Sequence, residues 1–253
     1  MRKILLLPLA ILLTSCGVYR TQMVDIPLMG EKGELQLSGS VSSLLTDPAV
    51  SVSATYALTD HLAIQGYALT SAFTRNGTMP LSYLQGAVGY FTPVGTGHAI
   101  FELYAGVNLG WRAYDLTTSS DNLVWYDNYE PAELNTQAWA TSQCYFLQAN
   151  YGWCVSKNFE WGFALKAGAL HLDYSDNHDE AVLNNVGDVV SVNRQTIIHQ
   201  LSTRRLIEPQ MFFRWGRHNL KYHFQMGFSC LDPLPYRYDV DPFSMGFGVS
   251  YRF

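Results

Sequence analysis

Asp173, Asp176, His178, Asp179 and Glu180 form a dense run of titratable side chains. Their hard oxygens could hold a divalent cation. The spacing matches no calcium loop, and a solvated polar loop explains the same residues. His171, His178 and His199 have acids nearby and could serve a hydrolase as general bases. No Gly-x-Ser-x-Gly elbow or Ser/His motif accompanies them. Residues 115–141 carry Asp115, Asp121, Asp127, Glu130 and Glu133 beside Trp125, Tyr126, Tyr129 and Trp139, with no Lys or Arg. Acid with aromatic suits a cation or sugar surface, and equally a loop resting on a rim. Cys144, Cys154 and Cys230 show no spacing for zinc. Cys144 and Cys154 fall on one strand, about 33 Å apart at strand rise, too far to bridge. The expectation is a protein with no cofactor, no metal and no framework disulfide, and not an enzyme.

A second set of charges is ordered by period instead of by clustering. Glu34, Glu102, Arg112, Glu160, Lys166, Glu208, Arg214, Lys221 and Arg252 sit within alternating segments, on the face opposite the large apolar residues. The last segment shows the pattern. Phe243, Met245, Phe247, Val249, Tyr251 and Phe253 alternate with Ser244, Gly246, Gly248, Ser250 and Arg252. A period of two is a strand with one apolar face. About ten such strands follow one another: 34–43, 49–58, 61–72, 82–91, 98–114, 142–155, 159–173, 204–215, 220–230 and 243–253. Eight is the alternative count, since residues 186–203 could extend their neighbours.

Bulk properties agree with that pattern. Hydrophobic residues are 48% of the chain and charged residues 15%, where a soluble domain carries about 25% charge. Mean hydropathy is -0.01, and beyond the leader the sequence has no run of about 20 apolar residues, as a membrane helix would need. The net charge of -5 leaves no basic footprint for nucleic acid. Alternating strands, few charges and 14% aromatic residues fit an all-β, single transmembrane antiparallel up-and-down barrel. Turns at 59–60, 92–97, 156–158 and 216–219 are short, and the opposite set holds long loops at 115–141 and 174–203. Short turns on the periplasmic side and long loops outside is the rule for such barrels.

A charge on the lipid face costs about 2–4 kcal/mol at mid-bilayer, so the charged face is the lumen. Strand neighbours then predict two groupings: Glu34 with Arg252 across the closing seam, and Glu160 with Arg214 and Lys221. Side chains are expected to fill the lumen as a polar plug. A soluble periplasmic β-sandwich is the rival fold.

Two stretches resemble known signals. Arg2 and Lys3, the apolar Ile4–Leu13 run and Leu13-Thr14-Ser15-Cys16 resemble a bacterial lipobox. That resemblance implies a signal peptide over 1–15 and lipidation, palmitate included, at Cys16. Gly17 follows without an acidic run, which implies an anchor on the periplasmic side of the outer membrane and a tether over 16–33. The final strand, with Tyr251 and Phe253, resembles the closing strand of bacterial outer-membrane barrels, whose terminal aromatic is part of the signal read by the insertion machinery. Lys32-Gly33-Glu34 and Ala57-Leu58-Thr59-Asp60-His61-Leu62-Ala63 resemble small barrel lipoproteins of Bacteroidota. The expected function is a structural or accessory envelope protein, a subunit of an envelope complex, with residues 34–253 as its outer-membrane barrel. A narrow channel or ligand-binding barrel is the alternative, and a hydrolase with rim Asp and His residues comes third. Expected partners are outer-membrane lipid, the insertion machinery and envelope-complex proteins.

Overall fold

A computed structural model describes residues 17–42, 48–71, 81–95, 98–118, 134–183, 189–217, 219–231 and 239–253. In chain order the strands are β1 (Gly17–Arg20), β2 (Leu35–Ser42), β3 (Ala49–Ala57), β4 (Leu62–Ser71), β5 (Ser82–Val94), β6 (Ala99–Thr118), β7 (Leu134–Ser156), β8 (Phe159–Leu183), β9 (Val189–Arg217), β10 (Leu220–Phe228), β11 (Cys230–Leu231), β12 (Asp239–Asp241) and β13 (Phe243–Arg252). Ten of them, β2 to β10 and β13, close into one antiparallel barrel. β11 continues β10 past Ser229 and still pairs with β9.

The last strand closes the ring. β13 pairs with β10 on one side and β2 on the other. Phe253 N–H donates to Leu35 O at 2.9 Å, and Arg252 N–H to Asn219 O at 3.0 Å. The ring has no free edge, so the ladder bonds are satisfied all round.

Alternation sets the two faces. Leu84, Val88, Tyr145 and Leu147 point outward and are 54–63% exposed, while Gln85 and Gln148 point inward and are at most 5% exposed. An exterior this apolar suits hydrocarbon, and polar groups collect in the lumen. Trp153, Trp161, Tyr151 and Phe163 form an outward aromatic cluster near the Ser156–Phe159 turn, with Trp153 stacked on Trp161 at 4.5 Å.

Turn residues match their geometry. At the tight turn after β3, Thr59 Oγ1 accepts from Leu62 N–H at 2.9 Å. Gly33, φ 86°, and Gly95, φ 65°, occupy left-handed positions at the same end of the barrel.

Two expectations need correction. Of the long loops expected at 115–141 and 174–203, residues 115–118, 134–141, 174–183 and 189–203 are strand. β6 and β7 stay paired out to Thr118 and Leu134, and β8 and β9 out to Leu183 and Val189. At about 3.3 Å per residue the 25 residues of β8 far exceed the roughly 9–11 that cross a bilayer. The barrel wall therefore projects beyond the apolar band on one side. The second correction is larger. Residues 17–33 are no free tether, because Thr21 to Met29 are all buried inside the barrel.

Candidate functional site

The candidate site is the lumen, occupied by the chain's own N-terminal segment. The segment enters at the long-strand mouth and runs down the lumen. It turns at Gly30–Gly33 and joins β2. At the upper end β1 pairs in parallel with β12, Gly17 beside Asp239 and Arg20 beside Asp241. Thr21 Oγ1 donates to Ser229 Oγ at 2.8 Å, where β10 breaks into β11. At the lower end Gly30 N–H donates to Glu34 Oε2 at 2.6 Å.

An extended segment inside a barrel has no neighbouring strand for its backbone. Each buried backbone group must find a side chain instead. Glutamines supply most of them. Gln65 Nε2 and Gln148 Nε2 both donate to Asp25 O, at 3.1 and 3.0 Å. Gln225 Nε2 donates to Val24 O, and Gln210 Nε2 to Gln22 O. In return Gln210 Oε1 accepts Val24 N–H at 2.8 Å. Arg214 donates to Ile26 O and Pro27 O. Glu102 Oε1 accepts Met29 N–H at 2.9 Å, and Glu102 Oε2 accepts from Asn150 Nδ2 at 2.8 Å.

The segment's side chains also pack. Val24, Ile26 and Leu28 share a buried apolar cluster with Ile100, Ala164 and Phe212. Leu28 has φ 55°, the one non-glycine positive φ among the described residues. That conformation costs an ordinary residue roughly 1–2 kcal/mol, and Leu28, fully buried, holds it through packing. A Cβ on Gly152 would come within 2.6 Å of the Leu28 Cδ atoms, so Gly152 makes the space Leu28 fills. Asp25 is held by Thr55 Oγ1 at 3.1 Å.

The charges picked out by period divide into two groups. At the lower end Arg252 Nε meets Glu34 Oε1 at 2.7 Å. Glu160 meets Arg214 at 3.5 Å, Lys221 in close contact and Arg252 at 3.8 Å. Arg252 also donates to Pro27 O at 2.8 Å and Gln36 Oε1 at 3.1 Å. One arginine thus joins the seam, the cluster and the threaded segment. Higher up, Lys166 Nζ lies 3.7 Å from Glu208 Oε2, both fully buried, and 4.5 Å above the Phe146 ring. It also donates to Gln85 Oε1 at 3.1 Å and Gln22 Oε1 at 3.4 Å. Ser229 Oγ donates to Glu208 Oε1 at 2.6 Å. The backbone of Arg112 pairs with Ala140, and its side chain lies outside the described residues, as does Cys16. Tyr251 and Phe253 face outward, 41% and 64% exposed, with rings 4.5 Å apart.

The other chemistry-bearing residues do not converge. His171 and Asp173 sit 3.5 Å apart and about half exposed, two apart on one strand. Leu172 between them is the residue buried inside, so the pair looks away from the lumen. The backbones of His178 and His199 are in strand pairing, His178 with Gln195 and His199 with Tyr174. No group of acids, His and Cys among the described residues could hold a metal ion. Cys144, Cys154 and Cys230 are free thiols.

Sequence reasoning missed the lumen's occupant. Gln22 and Asp25 were read as tether, and Gln65 and Gln148 drew no attention. The available signal is glutamine on the inward face of six different strands, at 36, 65, 85, 148, 210 and 225. A neutral amide both donates and accepts, which suits it to a peptide backbone.

No protein-family model matches the chain, and no curated protein matches its sequence. Solved structures do match. The outer membrane protease OmpT from Escherichia coli aligns with a TM-score of 0.59 at 10% identity, over 88% of this chain and 94% of its own. The CymD monoaromatic hydrocarbon channel aligns at 0.36 with 10% identity, over 88% of each chain. The N-terminal β-barrel domain of Pseudomonas aeruginosa OprF gives 0.28 at 8%, over 88% of this chain and 99% of its own. The OmpT likeness shows the fold alone. Fold and lumen together define a class: a closed, ten-stranded antiparallel barrel of the outer-membrane kind.

Proposed function

We propose that this chain is an outer-membrane lipoprotein whose barrel is sealed by its own N-terminal segment and serves a structural or accessory role in the bacterial envelope. The observation that carries this is the unbroken burial of Thr21 to Met29 in the lumen. A channel needs a continuous wet path, and this lumen holds a hydrogen-bonded peptide. Cys16 is the lipidated residue, and residues 1–15 are the signal peptide that is removed. Tyr251 and Phe253 close the barrel and present the terminal aromatic to the insertion machinery. The outward, half-exposed His171–Asp173 pair is read as a surface feature of a protein that is not an enzyme.

Conductance in planar bilayers tests the seal. The full chain should hold no open current. A variant with residues 21–29 replaced by a short Gly/Ser linker should conduct. Steady current through the full chain would sink the sealed reading in favour of a narrow channel.

A further inference from the structure

In place of the periplasmic-side anchor that the Gly17 resemblance implies, we propose that the acyl chains on Cys16 sit in the outer leaflet of the outer membrane, on the cell surface, reached by threading the N-terminal segment through the barrel. This rests on the reading of Cys16 as the lipidated residue.

Chain direction is the first support. β13 runs from Phe243 at the long-strand mouth to Arg252 at the short-turn mouth, where Arg252 meets Glu34. β12 leads into β13, and β1 is parallel to β12. Residues 17 to 20 therefore run inward from the long-strand mouth, with Gly17 farthest out. Gly30 lies at the opposite mouth, bonded to Glu34. Gly17 thus stands on the side away from both Glu34 and Phe253. Cys16 is one peptide link from Gly17, about 3.8 Å between Cα atoms, and the proposed anchor lies at Gly17's mouth.

Rim height is the second support. The wall is uneven. β13 has 10 residues and β10 has 9, against 25 in β8 and 29 in β9. Ten residues at strand rise and a tilt near 40° span roughly 25 Å, the height of the apolar band. Phe228 and Phe243, with rings 4.9 Å apart, mark the outer edge of the low wall. β12 stands immediately beyond them, and β1 runs beside β12. Gly17 lies about 13 Å beyond Thr21 at strand rise. β1 and β12 thus lie above the low wall, on the side of the proposed anchor. Beside the tall β8–β9 wall an acyl chain would have to reach down past projecting sheet.

The hold on the segment is the third. Asp25 O takes two glutamine donors, Pro27 O takes two arginines, and Leu28 is locked against Gly152. Contacts of this kind fix one register, so the upper end is placed by the whole segment and not by β1 alone. Arg252 bonds both Glu34 across the seam and Pro27 O on the segment, so the threaded chain is tied to the closing seam.

The test is an epitope inserted after Gly17, with a second copy in a separate variant at the Lys157–Asn158 turn as the periplasmic control. On intact cells the Gly17 epitope should bind antibody and be removed by added protease. The turn epitope should react only after permeabilisation. The opposite pattern would overturn the proposal. A disulfide check avoids insertions. Tyr19→Cys with Val240→Cys, partners in register, should cross-link in the full chain and hold its two halves together after cleavage in the 119–133 segment. A heat-modifiable, folded barrel with no cross-link would also overturn it. Palmitate labelling that disappears in Cys16→Ser checks the premise. A surface epitope without label would overturn the lipid assignment while leaving the threading, so the two failures are distinguishable.

Discussion

The two ends of the lumen solve the same problem differently. Both bury polar groups out of water. At the lower end side chains answer one another: Glu160 gathers Arg214, Lys221 and Arg252, and Arg252 also holds Glu34. From the middle upward, side chains answer a backbone: Gln65, Gln148, Gln210 and Gln225 bind the carbonyls of residues 22 to 25. The one charge pair there, Lys166 with Glu208, sits within that amide network. Charges fix the seam, where the ends of the barrel must find each other. Neutral amides hold the carbonyls of residues 22, 24 and 25, while lower down the charged Arg214, Arg252 and Glu102 hold Ile26 O, Pro27 O and Met29 N–H.

The contrast can be broken most severely at Glu160. Glu160→Ala takes the carboxylate away from Arg214 and Lys221, only 5% and 12% exposed, while Arg252 keeps Glu34. Removing one partner of a buried pair costs about 3–5 kcal/mol, and here the loss should lie at the upper end of that range. Urea unfolding of the refolded barrel, followed by heat-modifiable gel mobility, reads it. A loss under about 1 kcal/mol would mean the cluster is not formed. Lys166→Ala takes the cation from a buried carboxylate that keeps its Ser229 donor, so its cost should fall near the lower end, about 3 kcal/mol. The paired change Lys166→Met with Glu208→Leu should recover most of that loss, since an apolar pair of similar volume is often neutral or better. Neither variant should conduct, because the peptide and not Lys166 fills the lumen.

Smaller effects sharpen the upper half. Gln148→Ala removes one of two donors to Asp25 O and should cost about 1–2 kcal/mol. Adding Gln65→Ala should cost more than the sum of the singles, because the carbonyl then loses both donors. Strict additivity would argue against the threaded path. Lys221→Ala should cost least, about 1 kcal/mol, since its side chain is partly exposed and Glu160 keeps both arginines.

The corrections share a physical origin. Alternation is visible in sequence only where two different solvents face the two sides of a strand. Val249 and Leu84 betray a lipid face for that reason. Residues 173–180 read as a loop because both faces of β8 are polar there, yet the strand runs on and pairs with β9 to Leu183. Hydrogen-bonded pairing needs no amphipathic pattern once the strand leaves the apolar band. The buried N-terminal segment was illegible as well. Val24, Ile26 and Leu28 do alternate with Asp25 and Pro27, but so short a stretch, punctuated by Pro27 and Gly30, reads as irregular chain, and nothing local says that a barrel surrounds it.

The sequence by itself determined the ten strands, their two faces, the lumenal position of the charges and the neighbours across the closing seam. Each follows from a period of two and from the expense of an unpaired charge in hydrocarbon, both local properties of the chain. Only the tertiary structure decided what fills the lumen and at which mouth Gly17 stands. Those depend on side chains from eight strands converging on a segment up to 225 residues away, and no local pattern encodes such a meeting.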